Sequence, residues 1–266
     1  MFEKSIGNTV FEISHKRIEH PQIDNYQNHI HNFCEALLFI GGDANFNIDG
    51  HIYRPKPYDL FLIPPGTYHY IIPAETVPYE NYVIDFASEL VSEKHYERIF
   101  TPPYRMNIRS DNEFIRYFTT LDKYSERYDE EDFSECSLSL IKQMLVYCSY
   151  QPKTHPSDTP HNKLIRSVVE YVSENLTEPL NAEMISKHFF ISPSYLQNTF
   201  SSVMHIGLKQ YILQKKIFAA RADMEKGASP GEVCKKYQFN DYTGFYRLYK
   251  KHFGSAPKDI FSDGEN

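Results

Sequence analysis

The chain has 266 residues, of which 41% are hydrophobic and 24% charged, a composition that excludes wholesale disorder and favours two modest domains over one core. No apolar run approaches the ~18 to 20 residues of a membrane span, and the N-terminal stretch has no signal-peptide core, so a cytoplasmic protein without a membrane partner is expected. The net charge of −7 speaks against nucleic acid until it is divided: residues 161–266 carry 14 Lys and Arg against 11 Asp and Glu, leaving the acidic excess in residues 1–160. A phosphate-binding surface needs only a local positive face.

Residues 8–100 read as short segments separated by turn signals: Gly-Gly-Asp at 41–43, Asp-Gly at 49–50, Pro-Lys-Pro at 55–57 and Pro-Pro-Gly at 64–66. Between them FNI and LFLI run like strands, and NIDGHIY has the Asp-Gly signature of a hairpin. Many short, closely spaced strands predict a sandwich or small barrel. Two segments carry chemistry, HIHNFCEALLFIGG at 29–42 and DLFLIPPGTYHY at 59–70. Alternate residues of a strand share a face, so His29 and His31 can point into one cavity with Glu35 on the same sheet, and imidazole with carboxylate suits zinc, iron, nickel or manganese.

These segments resemble the HxHxxxE and PxGxxH motifs of the cupins, with His29, His31, Glu35 and His69 at the positions of the metal ligands. Tyr58 stands at the glycine position of the second motif and Pro73 at its late asparagine. The resemblance implies an all-β, cupin-like barrel. Its interior is a natural small-molecule pocket, with His29, His31, Glu35, Tyr53, His69 and Tyr82 as the candidate effector-binding residues. No cofactor is expected other than a divalent metal on His29, His31, Glu35 and His69, which is the alternative occupant.

Two amphipathic helices follow at 111–127 and 133–149, where Phe114, Phe118, Leu121 and Tyr124 recur at helical spacing, as do Leu138, Ile141, Leu145 and Cys148. The DEED run at 129–132 reads as a turn that also places acids at the next helix's N-terminus. Residues 151–161, QPKTHPSDTPH, have linker composition. The four cysteines, Cys34, Cys136, Cys148 and Cys234, form no CxxC pair and read as reduced core residues.

Beyond the linker the chain repeats itself. Ile185, Phe189 and Ile191 reappear as Val233, Tyr237 and Phe239, and Phe200 as Tyr249. Each copy contains a short helix, a tight turn and a second helix opening at a good cap, Ser192 in the first and Asn240 or Asp241 in the second. This is the grammar of a helix-turn-helix, twice. Met184, Ile185, Leu196 and Phe200, and then Val233, Cys234, Phe245 and Tyr249, are expected to pack each unit. That leaves the start of each second helix for a major groove: Ser192, Pro193, Ser194, Gln197, Asn198 and Ser201 in the first copy, and Tyr242, Thr243, Tyr246, Arg247, Lys250 and Lys251 in the second.

From about 163 to 260 the chain closely resembles the AraC/XylS family of bacterial transcription regulators. The resemblance rests on Tyr195, Leu196 and Phe200, on Tyr211, Lys216 and Ala220, and on Phe239, Asp241, Phe245, Arg247, Tyr249, Lys250, Lys251, Phe253, Gly254 and Pro257. Gln238 and His205 replace turn glycines of the family, so backbone strain is expected at both. Asn198 and Ser201 replace basic residues of the first recognition helix.

The expected organisation is multidomain. An effector-sensing cupin-like domain spans 1–108, a helical hairpin for dimerisation 109–150, a linker 151–161, and an all-α tandem helix-turn-helix 162–263. The resemblance implies a non-enzymatic regulator, with activation as the expected outcome. Its implied partners are double-stranded DNA, a sugar or other small metabolite as effector, a second copy of the chain, and RNA polymerase when it activates. The rival readings are a metal-dependent cupin enzyme carrying a DNA domain, and an interaction module whose recognition faces bind protein.

Overall fold

A computed structural model describes residues 2–6, 11–22, 29–109, 111–155 and 160–261, with only the backbone described at 2–6, 112 and 261. The chain divides into two compact units, residues 1–158 and 159–266.

The first unit is built from two antiparallel sheets. Strands β1 (Phe2–Ile6), β2 (Phe11–Ile18), β3 (Cys34–Gly41), β6 (Asp59–Ile63), β8 (Tyr79–Phe86) and β9 (Arg105–Asn107) form one sheet in the order β1-β2-β8-β3-β6-β9. Strands β4 (Ala44–Ile48), β5 (His51–Tyr53) and β7 (His69–Pro73) form the other, in the order β5-β4-β7. The expected barrel is therefore not closed, and the unit is two facing sheets. The described residues supply no strand that continues the three-stranded sheet into the larger one; a single bridge between His29 and His69 is the nearest approach to closure beside β3.

Strand β3 is buried on both faces, which explains its nearly unbroken apolar run. Cys34, Ala36 and Leu38 face outward into a core shared with the helices, while Leu37 and Phe39 face inward against Phe46, Ile48, Tyr53 and Phe61. The β4–β5 hairpin turns at Asp49 and Gly50, whose φ values of 44° and 80° are those demanded by a two-residue turn of this twist. Gly42 is required elsewhere: its φ is 120°, and a Cβ there would lie 2.8 Å from the Pro78 carbonyl oxygen.

Helices α1 (Glu93–Phe100), α2 (Asn112–Arg127) and α3 (Glu130–Cys148) share the outer core of the large sheet. Asp111 caps α2 by accepting from the Phe114 N–H, and Asp129 caps α3 by accepting from the Asp132 N–H. The second helix of the hairpin thus begins at Glu130, three residues before its expected start. Glu130, Glu131 and Asp132 form its first turn, where the helix dipole favours acidic side chains.

The segment after α3 stays on this unit as far as it is described there. Thr154 bridges the β9 edge at Arg105, and Lys153 donates from Nζ to the Ile99 carbonyl at 2.7 Å. Residues 156–159 of the expected linker lie outside the described residues, and Pro160 and His161 open the next helix. All four cysteines are free.

The second unit is helical: α4 (Pro160–Glu174), α5 (Ala182–His188), α6 (Pro193–Met204), α7 (Leu208–Glu225), α8 (Pro230–Lys236) and α9 (Tyr242–Phe253). The pairs α5–α6 and α8–α9 are the two helix-turn-helices, and α7 joins them. Ile185, Leu196, Phe200, Val233, Cys234, Phe245 and Tyr249 are buried as expected, but Met184 is 39% exposed. Helix α5 has seven residues and turns Ile185 and Ser186 inward, so the preceding side chain falls on its rim.

The turns after α5 and α8 are built alike. The Ile191 N–H reaches back to the Ser186 carbonyl and the Phe239 N–H to that of Cys234, each at 3.0 Å, with a left-handed residue between helix and return. That residue is Phe190 in one turn and Gln238 in the other. His205, ending α6, is left-handed as well, with φ 52°, whereas α9 ends on Gly254. The strain expected at Gln238 and His205 is present, and Phe190 is a third such position.

Candidate nucleic-acid interface and effector site

Helices α6 and α9 each begin at a side-chain cap. Ser192 Oγ accepts from the Tyr195 N–H at 3.2 Å, and Asp241 Oδ1 from the Gly244 N–H at 2.7 Å. Ser192 is thus committed to its own helix through Oγ. Beyond it Pro193, Ser194, Gln197, Asn198 and Ser201 are exposed. Ser194, Gln197, Asn198 and Ser201 stand at positions i, i+3, i+4 and i+7, which places them on one face. On α9, Tyr242, Thr243, Arg247, Lys250 and Lys251 are exposed and Tyr246 is half-buried.

The rings of α9 divide between two tasks. Phe245 and Tyr249 are fully buried and contact each other, and Phe253 packs on Tyr249 and Phe218. Arg221 holds its guanidinium 4.6 Å from the centre of the Phe253 ring. Tyr242, by contrast, is 48% exposed. The helix is fixed by one face while the cations of the other remain in solvent. Under both motifs runs α7, whose Lys216 is buried and donates from Nζ to the Glu178 carbonyl at 2.8 Å.

A cleft of about 960 Å³ opens between the two motifs, lined by Gln197 and Ser201 on one side, Asp241 and Gly244 on the other, with Lys209 and Lys216 among its walls. Sequence patterning did not anticipate it, because it arises from the way α7 spaces the motifs. Nor did it anticipate Phe190, which is 96% exposed.

In the first unit, His29, His31, Glu35 and His69 come together, each offering a ligand atom within 4.8 Å of the others. Glu35 projects from the inner face of β3, His69 from β7 of the other sheet, and His29 and His31 from the segment entering β3. His31 Nδ1 lies 2.9 Å from the Phe33 carbonyl and His69 Nδ1 2.9 Å from that of Thr67. A carbonyl only accepts, so both Nδ1 atoms carry the proton and both Nε2 atoms turn to Glu35, at 3.1 and 3.4 Å. The His69 contact is a near approach of charge without hydrogen-bond geometry, and its buried Nε2 has no hydrogen-bond partner.

Burial alone would raise the Glu35 pKa, but His31 and His69 outweigh it and hold the carboxyl well below the usual carboxylate range. His69 responds in the opposite direction: burial lowers its pKa, Glu35 more than compensates, and the net shift is upward. Asp85, which the sequence reading did not single out, pairs in register with Glu35 on one side and Glu12 on the other. Burial, then the charges of Glu35 and Glu12, push its carboxyl up to about 8. Its Oδ1 is buried without a hydrogen-bond partner.

The two tyrosines grouped with the histidines lie elsewhere. Tyr53 is wholly buried between the sheets, its hydroxyl accepting from the Tyr104 N–H at 3.1 Å and its ring edge-on to Phe61. Tyr82 projects from the outer face of β8, where its ring stacks 3.7 Å from His15 and its hydroxyl donates to Asp122 on α2. Neither joins the histidine cluster.

The donor set of that cluster fits a first-row divalent metal. Three imidazoles and one carboxylate are the ligand types such ions take, and a carbonyl on the far nitrogen is the usual means of fixing a ligating imidazole. Glu35, His31 and His69 would hold the ion between the sheets, with His29 closing the site from its exposed side.

A β-rich ligand-binding unit followed by two helix-turn-helices defines a transcription regulator. Residues 17–158 match the AraC-like ligand binding domain, and residues 185–262 match a helix-turn-helix domain. The chain belongs to the AraC/XylS family. Regulatory protein SoxS of Salmonella typhimurium is 26% identical over 100 residues, 37% of this chain and 94% of that protein. The HTH-type transcriptional regulator YfiF of Bacillus subtilis is 24% identical over 255 residues, covering 89% of this chain and 80% of its own. The arabinose operon regulatory protein of Salmonella typhimurium is 24% identical over 233 residues, covering 84% and 81%. Among solved structures, the AraC-like transcriptional activator CuxR superposes with a TM-score of 0.43 at 16% identity, covering 85% of this chain and 82% of that one. These relatives are regulators rather than enzymes, and no helix among the described residues is long and apolar enough to cross a membrane.

Proposed function

We propose that this regulator is a cytoplasmic activator that reads DNA through α6 and α9 and is controlled by a sugar or related polyhydroxylated metabolite bound in its first unit. The observation that carries the DNA-reading assignment is the pair of capped helices, each fixed by buried rings or aliphatic groups and each presenting a polar face to solvent. Such helices enter successive major grooves on one side of a duplex, about 34 Å apart. Arg247 suits a guanine edge, Gln197 and Asn198 suit adenine, and Lys250 and Lys251 suit phosphates.

The 24% identity with an arabinose operon regulator supports a sugar-class effector. Two copies of the chain, associating through the α2–α3 hairpin, would read paired half-sites, and a DNA-bound dimer would recruit RNA polymerase. Effector binding acts by favouring one arrangement of the units over another with different DNA affinity.

Selection of bound genomic fragments with the purified protein, followed by footprinting, tests the reading. Protected half-sites spanning two adjacent major grooves, lost or relaxed with Arg247→Ala, are the expected result. Absence of any enrichment at low salt, where phosphate attraction is strongest, would remove DNA as the partner.

A further inference from the structure

Arg105 stands where the interior of the first unit meets the chain that leaves it. It lies in β9, at the edge of the large sheet, and its guanidinium serves several partners at once. Nη1 is 3.6 Å from Oδ2 of Asp59, a carboxylate that is only 2% exposed. The guanidinium carbon lies 5.5 Å from the centre of the Tyr53 ring, which belongs to β5 of the small sheet. Nε donates to Thr154 Oγ1 at 2.8 Å, and Nη2 to the His155 carbonyl at 3.0 Å. The compact ammonium of a lysine has no such reach, whereas the planar fork of an arginine meets these demands together.

The backbone repeats the attachment. The Thr154 N–H donates to the Arg105 carbonyl at 2.8 Å, pairing the two residues as an antiparallel bridge on β9. One residue earlier, Lys153 Nζ donates to the carbonyls of Ile99 and Thr101, where α1 ends. Residues 153–155 are thus held by β9 and by the end of α1. A polar, proline-rich segment that merely spaced two units would stay in water. Here only residues 156–159, outside the described residues, separate the held segment from Pro160 at the start of α4.

The attachment reaches inward as well. Tyr53 is wholly buried between the sheets, its hydroxyl accepting from the Tyr104 N–H, and the Tyr104 carbonyl accepts from the Leu62 N–H of β6 at 3.0 Å. A shift of the small sheet therefore moves both the ring on which Arg105 rests and the hydroxyl that holds the residue beside it.

We propose that Arg105 is a positioning residue that clamps residues 153–155 to the first unit, and that closing or opening this clamp passes the state of the sensor to the DNA-reading unit. The inference deepens the regulatory reading and rests on it. Opening the clamp lengthens the chain free to span two half-sites, and a longer connection accepts more separations between them.

The test uses the full chain and needs no effector. Trypsin must draw Lys153 and Thr154 into its own active site, so the rate of cleavage between them reports how often the clamp opens. Arg105→Ala is expected to raise that rate by about tenfold or more, because it removes both guanidinium bonds to the linker. Arg105→Lys keeps a charge beside Asp59 without the fork and should behave alike. Thr154→Val keeps the side chain's shape and removes only Oγ1, so it opens the clamp less and with little risk to folding. Tyr53→Phe, which alters nothing in the linker or β9, is expected to raise the rate several-fold through Tyr104. Circular dichroism confirms the fold of each variant. Affinity for paired half-sites is then measured as their spacing is varied in whole turns of DNA. The parent is expected to favour one spacing several-fold, and Arg105→Lys to flatten that preference while keeping its affinity for a single half-site, which a general loss of stability would not do.

Equal cleavage of the parent and Arg105→Lys would overturn the clamp. Faster cleavage with an unchanged spacing preference, or a parent with no preference to lose, would overturn its part in regulation. A parent that binds neither single nor paired half-sites would instead overturn the DNA-reading assignment, with the clamp still judged by trypsin.

Discussion

Phe190 and Gln238 stand 48 positions apart and share one backbone conformation, with φ of 56° and 54°. Each ends the first helix of its motif in the left-handed region, which costs a residue with a Cβ roughly 1–2 kcal/mol relative to the ordinary helical region. Glycine would relieve that strain while losing some chain entropy on folding. Phe190→Gly is therefore expected to stabilise the second unit by about 0.5–1 kcal/mol. Gln238 donates from Nε2 to the Thr177 carbonyl at 2.7 Å, so Gln238→Gly should gain less, because it loses that bond. Urea unfolding of the two variants checks the order, and a larger gain for Gln238→Gly would show that strain is not what separates them.

Lys216 sits in α7 beneath the motifs, only 5% exposed, and burial lowers the pKa of its amine. Its hydrogen bond to the Glu178 carbonyl ties α7 to the connection between α4 and α5. Lys216→Met keeps most of the aliphatic stem but leaves that carbonyl without its donor, and a loss of about 1–3 kcal/mol is expected. Equal stability of the variant and the parent in chemical unfolding would mean that water replaces the amine.

The second unit was legible in the sequence because its signals are local. Caps at Ser192 and Asp241, the repeated apolar positions and the unusual turn residues Gln238 and His205 all act within a few residues of themselves. The convergence of His29, His31, Glu35 and His69 was legible for a related reason, since two short motifs with fixed spacing carry it. What escaped depends on strand register. Glu35 pairs with Asp85, which sets every odd-numbered residue of β8 inward and turns Tyr82 out toward the helices. Without that register neither the removal of Tyr82 from the pocket nor the arrival of Asp85 beside it can be read. The open edge between the sheets likewise depends on which strands meet, which no single strand encodes.

Asp223, near the end of α7, accepts from Lys236 Nζ at 2.6 Å and from the Tyr237 hydroxyl at 2.8 Å, joining the linking helix to the second motif. Burial would raise its pKa, but those two donors outweigh it and the net shift is downward. A carboxyl with a depressed folded-state pKa contributes stability above its unfolded pKa of ~3.9, and that contribution is lost as pH falls through the folded value. The pair is partly exposed, so solvent limits the contribution to about 0.5–1 kcal/mol. Asp223→Asn should unfold at lower urea than the parent at pH 7, and the gap should close below about pH 4. A gap that persisted at low pH would point to packing rather than charge.

Arg247 and the pair Lys250 and Lys251 are all exposed on α9, yet they should fail in different ways. A guanidinium placed against a base edge makes two directed bonds, so Arg247→Ala is expected to cost about 1–3 kcal/mol on the preferred sequence and to relax preference at one position. A lysine at a phosphate has no sequence to lose. Lys250→Ala and Lys251→Ala should each weaken binding to all fragments alike and reduce the slope of log affinity against log salt by about 1. Binding to a panel of single-base variants at two salt concentrations separates the roles. A uniform loss with Arg247→Ala, accompanied by a flatter salt slope, would move that residue from the bases to the backbone and leave α9 as a positioning helix, with sequence read chiefly through Gln197 and Asn198 of α6.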